Sequence, residues 1–163
     1  MSEYVVRPVR STDAPALAML LNSIIRAGGT TALENEFTAE SLDAAYLTGP
    51  DVHCCHVAED ATGAIVAFQT LGAYPGLPAD VGDIGTFAAV DRKQGGAGKA
   101  LFAVTINRAR ELGLRAINAT IRADNLGGLA FYSKQGFVDH SVTRAVPLSD
   151  GTPVDRLHKR FEL

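Results

Sequence analysis

The sequence predicts a mixed α/β fold, and three observations lead to this prediction. The chain has 163 residues, of which 47% are apolar, enough for one domain with a buried core. Strand-like and helix-like patterns follow one another in the order β-α-α-β-β-β-α-β-α-β-β. No internal repeat, linker or low-complexity tract interrupts this order. We therefore expect a single domain spanning residues 1–163.

The first third of the chain predicts a strand and two helices. Residues 4–9 alternate weakly and form the strand. A helix then begins near Asp13, with Ser11 or Thr12 as its cap, and ends at the glycine pair 28–29. Its apolar stripe has helical spacing and consists of Leu17, Leu20, Leu21, Ile24 and Ile25. After a polar loop at residues 30–37, Thr38 caps a second helix, which stops at residues 49–50.

The rest of the chain is organised around a central strand, loop and helix. Two antiparallel strands at residues 52–58 and 65–71 precede it. The central strand covers residues 81–90, and the helix after the loop ends at Gly113, a glycine in the C-cap position. One side of that helix carries Leu101, Phe102, Thr105, Ile106, Ala109 and Leu112. A strand at 116–121, a short helix ending at Gly136 and two closing strands joined by a turn at 149–153 complete the prediction.

The charge balance argues against large anionic partners. The net charge is −3 and the isoelectric point is about 5.8, whereas proteins that bind nucleic acid or anionic membranes are usually basic. The N-terminus lacks a basic segment followed by an apolar run, and no apolar stretch approaches the length of a membrane span. We expect a cytoplasmic protein with neither a nucleic-acid nor a membrane partner.

The two cysteines, Cys54 and Cys55, are adjacent in a predicted strand. Neighbouring residues in a strand point to opposite faces, so a disulfide between them is unfavourable. No second Cys/His pair stands at a spacing typical of metal ligands. We therefore expect two reduced, structural thiols and no metal site.

The loop at residues 91–98 is basic and rich in glycine. Such a loop directs backbone N–H groups toward one point at a helix N-terminus, which favours a bound anion such as phosphate. Two nucleotide signatures fail: Lys99 is followed by Ala100 rather than Ser or Thr, and Leu101 occupies the position of a third dinucleotide-binding glycine. A phosphate site and a flexible strand-to-helix connector both remain open at this point.

A second group of residues spans positions 125–137. Asn125 stands where a strand ends, and Tyr132 follows seven residues later, two helical turns along the same side. A tyrosine phenol in that position can donate a proton to a thiolate leaving group. The alternatives are a half-buried aromatic for Tyr132 and a helix cap for Asn125.

Together the two stretches resemble the GCN5-related N-acetyltransferases. In that family a Gln/Arg-x-x-Gly-x-Gly/Ala loop binds the coenzyme A pyrophosphate. It is matched here either by Lys93, Gly96 and Gly98 or by Arg92, Gly95 and Ala97. The family's downstream pattern is Asn-x-x-Ala/Gly-x-x-x-Tyr-x-Lys-x-Gly-Phe, matched by Asn125, Gly128, Tyr132, Lys134, Gly136 and Phe137. Residues 30–34 and 120–125 are most similar to the phosphinothricin- and amino-acid-acetylating branch.

The resemblance implies a fold and a reaction. The expected fold is a twisted, mostly antiparallel central sheet with one parallel, splayed strand pair, flanked by about four helices. The expected reaction is direct transfer of an acetyl group from acetyl-CoA to the primary amine of a small molecule, such as an amino acid or an analogue. Cofactor binding is expected at Phe87, Ala88, Ala89, Arg92, Lys93, Gln94, Gly95, Gly96, Ala97, Gly98, Lys99, Ala100, Asn125 and Lys134.

The resemblance also implies catalytic and acceptor-binding roles. Tyr132 would protonate the departing thiolate, and Asn125 would hydrogen-bond the pantetheine arm or an ordered water. Glu34 would hold or deprotonate the amine, next to Thr31 and Asp83 on the acceptor side. Other base candidates are Asp83 itself, His53 and His56.

Two other functions stay open. They are acetylation of proteins or peptides, and acyl-CoA sensing without catalysis. Whether the chain forms a homodimer is also open.

Overall fold

The computed structural model describes residues 3–92 and 95–163. Seven strands form one sheet in the order β1-β2-β3-β4-β5-β7-β6. The strands are β1 (Val5–Pro8), β2 (Val52–Glu59), β3 (Ile65–Gly72), β4 (Val81–Ala88), β5 (Ala116–Arg122), β6 (Val138–Pro147) and β7 (Pro153–Glu162). The helices are α1 (Ala14–Ala27), α2 (Ala39–Leu42), α3 (Ala97–Glu111) and α4 (Leu126–Gln135).

The predicted order of strands and helices is confirmed, with boundaries that differ by at most two residues except at the end of α2, which stops at Leu42. All neighbouring strands are antiparallel except β4 and β5, which are parallel. The mostly antiparallel sheet with one parallel pair and four helices is therefore the predicted fold class. Among the described residues, no helix is both long and apolar enough to cross a membrane.

The predicted cap of the first helix is wrong. Residues Ser11–Asp13 form a short 3-10 turn, and neither hydroxyl caps the helix. Instead, the Asp13 carboxylate accepts a hydrogen bond from the Arg10 backbone N–H at 2.8 Å and two from the Arg7 guanidinium at 2.9 Å. The Arg7 side chain comes from β1, so this tertiary ion pair replaces the local cap.

The start of α2 agrees with its predicted cap, and the end of α3 differs slightly from the prediction. The Thr38 hydroxyl accepts a hydrogen bond from the Ser41 backbone N–H at 3.0 Å, which confirms the predicted cap of α2. That helix is only one turn long and continues as a π-helical turn, Asp43–Leu47. Leu112, predicted on the apolar side of α3, is 40% exposed because the helix has already ended at Glu111.

The helices cover both faces of the sheet. On the α1/α2 face the core contains Leu17, Leu21, Leu42, Cys55, Val57 and Phe68. On the α3/α4 face it contains Leu71, Ile84, Phe102, Ile117, Tyr132 and Phe137. Cys55 belongs to the first core and Cys54 packs against the second, so the two free thiols point to opposite faces as predicted.

The parallel pair separates partway along its length. β4 and β5 pair only from Val81 opposite Ala116 to Asp83 opposite Asn118. Beyond that point residues 84–88 of β4 pair with β3 alone, and residues 119–122 of β5 pair with β7 alone. The space between these two segments is called the β4–β5 gap below, and it confirms the predicted splay.

Candidate active site

Strand alternation gives the β4–β5 gap one set of side chains on each face of the sheet. On β4, Ile84 belongs to the α3/α4 core, whereas Phe87 packs on Phe68 in the α1/α2 core. Because successive strand residues alternate, Thr86 faces α3 and α4, and Asp83 faces α1 and α2. Period-2 alternation alone could not decide which way Asp83 points; the core contacts decide it.

Tyr132 reaches the gap from the α3/α4 face. Its side chain is 7% exposed and packs edge-on against Phe131 and Phe137, with ring centroids 5.0 and 5.1 Å away. Its hydroxyl lies 2.9 Å from the Thr86 hydroxyl. Burial raises the pKa of Tyr132 to about 12, although the Thr86 hydroxyl and backbone amide oppose this rise. The phenol is therefore protonated at neutral pH.

Gln69 on β3 adds a third group to the hydrogen bond between Thr86 and Tyr132. The Gln69 side-chain amide donates to the Thr86 hydroxyl oxygen at 2.9 Å. Thr86 can then donate its own proton to the Tyr132 oxygen, which leaves the tyrosine proton available to a group in the gap. Sequence reasoning missed both residues. Strand alternation is the signal that could have identified Thr86, because it places Thr86 and Phe87 on opposite faces of β4.

Asp83 lies at the closed end of the gap, on the opposite face. Its carboxylate accepts a hydrogen bond from the Asn118 amide at 2.9 Å, and the Asn118 carbonyl oxygen accepts one from Arg160 Nε at 3.0 Å. The three residues stand directly opposite one another on β4, β5 and β7. Burial raises the pKa of Asp83, partly offset by Asn118 and Arg160.

A polar row follows next along the same face. The Thr120 hydroxyl lies 2.9 Å from His158 Nδ1, and the Thr143 hydroxyl lies 2.7 Å from His158 Nε2. Thr120 stands beside the β4–β5 gap, because β4 has already separated from β5 at this level. One step further along, Arg122 of β5 stands opposite Arg156 of β7.

The glycine-rich loop ends where α3 begins. Gly96 precedes α3 with φ of +89°, a left-handed conformation that favours glycine. A Cβ on Gly98 would lie 2.8 Å from the Phe131 ring, so α4 packs closely over the first turn of α3. The first backbone N–H groups of α3 have no partner within the helix and are suited to an anion.

The two motif registers place different residues in this loop. Arg92 forms an ion pair with Asp60 at 2.9 Å, and the Gly95 carbonyl accepts a hydrogen bond from the Tyr4 hydroxyl at 2.7 Å. Lys93 and Gln94 lie outside the described residues. The left-handed φ of Gly96 and the ion pair that engages Arg92 favour the register in which Lys93 is the basic residue. The phosphate contacts themselves stay a prediction.

The predicted pantetheine-binding segment lies along the β4 edge of the gap. The Ala89 N–H donates to the Val66 carbonyl at 2.8 Å and is therefore turned toward β3. Because backbone N–H groups alternate between the two edges of a strand, Phe87 also faces β3, and Ala88 faces the gap. Ala97 is buried at the start of α3 and Ala100 is half-buried, whereas Lys99 and Lys134 are exposed.

Asn125 caps α4 and holds the α1–α2 loop. Its side-chain oxygen accepts from the Gly128 backbone N–H at 3.0 Å, and its amide nitrogen donates to the Thr30 carbonyl at 3.1 Å. A Cβ on Gly128 would lie 2.6 Å from that nitrogen, so the motif glycine makes room for the cap. Its cofactor-binding and catalytic roles stay predictions.

The α1–α2 loop, residues 28–38, is fixed over the open end of the gap. The Thr31 carbonyl accepts a hydrogen bond from the Arg122 guanidinium at 3.3 Å. The exposed Glu34 carboxylate accepts from the Ser149 backbone N–H at 3.0 Å and from its hydroxyl at 2.9 Å. These contacts connect the loop to β5 and to the β6–β7 turn. They bring Thr31 and Glu34 to the same rim of the site.

The thiols and the buried histidine are poorly suited to covalent or acid–base chemistry. Burial raises the pKa of Cys54 to about 11 and that of Cys55 to about 12, so neither is a thiolate at neutral pH. Burial also lowers the pKa of His56. In residues 3–92 and 95–163, no three His, Cys, Asp or Glu side chains are grouped so that they could hold a metal ion.

Comparison with known proteins agrees with this geometry. The model of the Acetyltransferase (GNAT) family matches residues 21–137. No curated protein matches the chain.

Three solved structures are among those that share the fold. A GCN5-related N-acetyltransferase from Kribbella flavida is 24% identical, with a TM-score of 0.84 over 99% of this chain and 98% of that one. A ribosomal-protein-alanine N-acetyltransferase from Brucella melitensis is 22% identical, with a TM-score of 0.83 over 98% and 99%. A phosphinothricin acetyltransferase from Sinorhizobium meliloti, solved with acetyl-CoA, is 18% identical, with a TM-score of 0.84 over 99% and 89%.

Proposed function

Because the chain belongs to the GNAT family and is therefore an acetyl-CoA-dependent N-acetyltransferase, we propose that it acetylates the primary amine of a small molecule such as an amino acid or an amino-acid analogue. The observation that carries this proposal is the β4–β5 gap, with a protonated phenol on one face and a half-buried carboxylate on the other. A thioester in the gap would have a proton donor on its sulfur side and a proton acceptor on its amine side.

The cofactor would lie along the β4 edge and the start of α3. Ala88 presents its backbone N–H and carbonyl to the gap, as a strand edge does, and a pantetheine arm carries amides that can pair with it. The pyrophosphate would accept hydrogen bonds from the N–H groups of Ala97, Gly98 and Lys99 at the positive end of the helix dipole. Gly96, at the start of this helix, has open space where a side chain would stand.

We assign the base to Asp83. An attacking amine must first lose a proton, and a carboxylate whose pKa is raised by burial accepts protons more readily than an exposed one. Asn118 and Arg160 hold the carboxylate toward the gap. We assign Glu34 to the rim, where it holds the β6–β7 turn and, with Thr31, borders the acceptor.

The transfer would then proceed without a covalent enzyme intermediate. Asp83 takes a proton from the acceptor ammonium, and the neutral nitrogen attacks the thioester carbonyl carbon. This attack forms the C–N bond. The C–S bond then breaks, and the departing sulfur takes the Tyr132 proton. Thr86 donates a hydrogen bond to the phenolate that remains, until the proton released by the acetylated nitrogen restores the phenol. Asp83 then releases its own proton to solvent. Positioning and proton transfer supply the rate.

A small acceptor is favoured over a peptide because of the fixed α1–α2 loop. Contacts from Asn125, Arg122 and Ser149 close the loop over the rim, whereas a peptide needs an open groove. The ribosomal-protein acetyltransferase with the same fold keeps peptide acetylation as the second candidate.

The deciding experiment is thiol release from acetyl-CoA with a panel of amino acids, amino-acid analogues, polyamines and peptides. We expect turnover with members of the first two groups. Turnover with peptides alone would overturn the acceptor assignment. Acetyl-CoA binding without release for any amine would instead indicate a sensor.

A further inference from the structure

One face of β7 carries an alternating set of basic side chains beside the proposed acceptor site. Arg156, His158 and Arg160 alternate with Leu157, Lys159 and Phe161, and Phe161 packs on the α3/α4 core. Strand alternation therefore turns the three basic residues toward the α1/α2 face, where Asp83 lies. The proposed mechanism gives Arg160 only a supporting role and gives Arg156 none.

Arg160 is fixed next to the base without being neutralised by it. Its Nε donates to the Asn118 carbonyl oxygen at 3.0 Å, and the Asn118 amide group separates it from the Asp83 carboxylate. Across this amide group the guanidinium lowers the pKa of Asp83, against the larger rise caused by burial. A guanidinium has two further nitrogens besides Nε, and such nitrogens are suited to a planar oxyanion.

Arg156 carries a buried nitrogen that lacks a partner. Among the described residues, no acceptor lies within hydrogen-bond distance of its Nη1, although that atom is inaccessible to solvent. Arg156 helps to lower the pKa of Asp124, but that carboxylate is held by Arg122 through two hydrogen bonds of 2.9 and 2.8 Å. A buried guanidinium nitrogen without an acceptor is costly, which favours an anionic ligand there.

His158 separates the two arginines and adds no charge at neutral pH. Both ring nitrogens are hydrogen-bonded to threonine hydroxyls, and burial together with His140 and Arg160 lowers its pKa. A ligand lying over this ring would have one guanidinium on each side and the β4–β5 gap in front of it.

We propose that Arg156 and Arg160 bind an anionic group of the acceptor, so that the substrates are small amines bearing a carboxylate or a similar oxyanion. This inference rests on the proposed function and adds the acceptor's second recognition point. The amine would meet Asp83 at the gap while the oxyanion meets the guanidinium groups, so both ends of a zwitterion are recognised.

The test compares three acceptors that share one side chain: an amino acid, its carboxamide and the corresponding aminophosphonate. For the wild-type enzyme we expect kcat/KM for the acid to exceed that for the amide by roughly 10- to 100-fold, the range of a lost charge-assisted hydrogen-bond pair. The phosphonate arm distinguishes a carboxylate-shaped site from one that accepts any oxyanion.

Two variants and one control locate the effect. Arg156→Gln should lower kcat/KM for the acid by roughly tenfold or more and change that for the amide less than threefold. Arg160→Gln should lower both values, that for the acid more, because Arg160 also holds Asn118 next to the base. Arg144→Gln serves as the control, because Arg144 belongs to the same hairpin, is exposed and pairs only with Asp155 among the described contacts. It should change neither value.

The outcomes separate this inference from the function on which it rests. Equal wild-type rates for acid and amide would overturn the anion site and leave the acetyltransferase assignment intact. Equal losses for both substrates in Arg156→Gln would indicate a structural role and also overturn it. Absence of acetyl transfer to every amine would overturn the proposed acceptor class itself.

Discussion

The two faces of the β4–β5 gap are built in opposite ways. On the α3/α4 face, Tyr132 is enclosed by aromatic rings and connected to Thr86 and Gln69, with little access for solvent. On the α1/α2 face, Asp83 begins a polar network that runs across three strands to Arg160. The first face is suited to a constant reaction step, and the second to recognition of a particular acceptor.

The difference also explains how one site can separate two proton transfers. A phenol buried among apolar groups keeps its proton, because burial disfavours the phenolate. A carboxylate whose pKa is raised by burial accepts a proton more readily than an exposed one. The sheet stands between the two groups, and in the proposed mechanism a thioester meets both of them at its opening.

The largest effect is expected from a charge placed at the start of α3. Gly96→Glu adds strain at φ of +89° and a carboxylate where the pyrophosphate would bind, so the thermal stabilisation by acetyl-CoA should disappear. Gly113→Glu is the matched control. Gly113 also has a positive φ, of +79°, and open space around it, but it lies at the opposite end of the same helix. If acetyl-CoA still stabilised the Gly96→Glu variant against heat, the assignment of the loop would be contradicted.

The next largest effect should come from the base. Asp83→Asn should lower kcat roughly 100- to 1000-fold, because the amide cannot take the proton of the acceptor. Protonation of Asp83 should reduce wild-type activity as the pH falls. Because the Asp83 pKa is raised, this loss should begin at a higher pH than it would with an ordinary aspartate as the base. The variant should lack this acidic limb of the kcat/KM profile in its residual activity.

Stability provides an internal check on the same substitution. A carboxyl group with a raised pKa in the folded state opposes folding as pH rises through the interval between its unfolded and folded pKa values. Asp83→Asn removes that cost, so at neutral pH its melting temperature should equal or exceed that of the wild type. A large loss of stability together with activity would show that Asp83 is mainly structural.

A smaller effect tests the opposite face. Tyr132→Phe should lower kcat about 100-fold with little change in acetyl-CoA affinity, and Thr86→Val should lower kcat about fivefold to tenfold. If Thr86 acts only through the phenol, the double variant should equal Tyr132→Phe alone. Thr86→Ser should restore most of the rate. Additive losses would mean that Thr86 contributes independently of the tyrosine.

Sequence patterns predicted the parts of the site that depend on neighbouring residues. The glycines of the loop and the Asn125-to-Phe137 segment are local signals: Gly96 needs a left-handed conformation, and Gly128 makes room for the Asn125 cap. The parallel splayed pair followed from the family resemblance. Local patterns could not predict the contacts that depend on how neighbouring strands are aligned.

Those register contacts join residues far apart in the chain. Asn118 lies opposite both Asp83 and Arg160, partners 35 and 42 positions away. The same limitation explains the wrong cap at Ser11 and Thr12, because the competing partner of Asp13 comes from β1. Local propensity could not anticipate an ion pair formed by a neighbouring strand.

The smallest effect is expected at the rim of the acceptor face. Glu34→Gln keeps a side-chain oxygen for Ser149 but removes the charge, so we expect a two- to threefold rise in the acceptor KM with kcat unchanged. Glu36→Gln, in the same loop and paired with Arg26, should leave both constants unaltered. A fall in kcat of tenfold or more in Glu34→Gln, with Asp83→Asn still active, would transfer the base to Glu34. The acceptor face would then be catalytic at its exposed rim, and the contrast between a buried reaction face and an open recognition face would have to be abandoned.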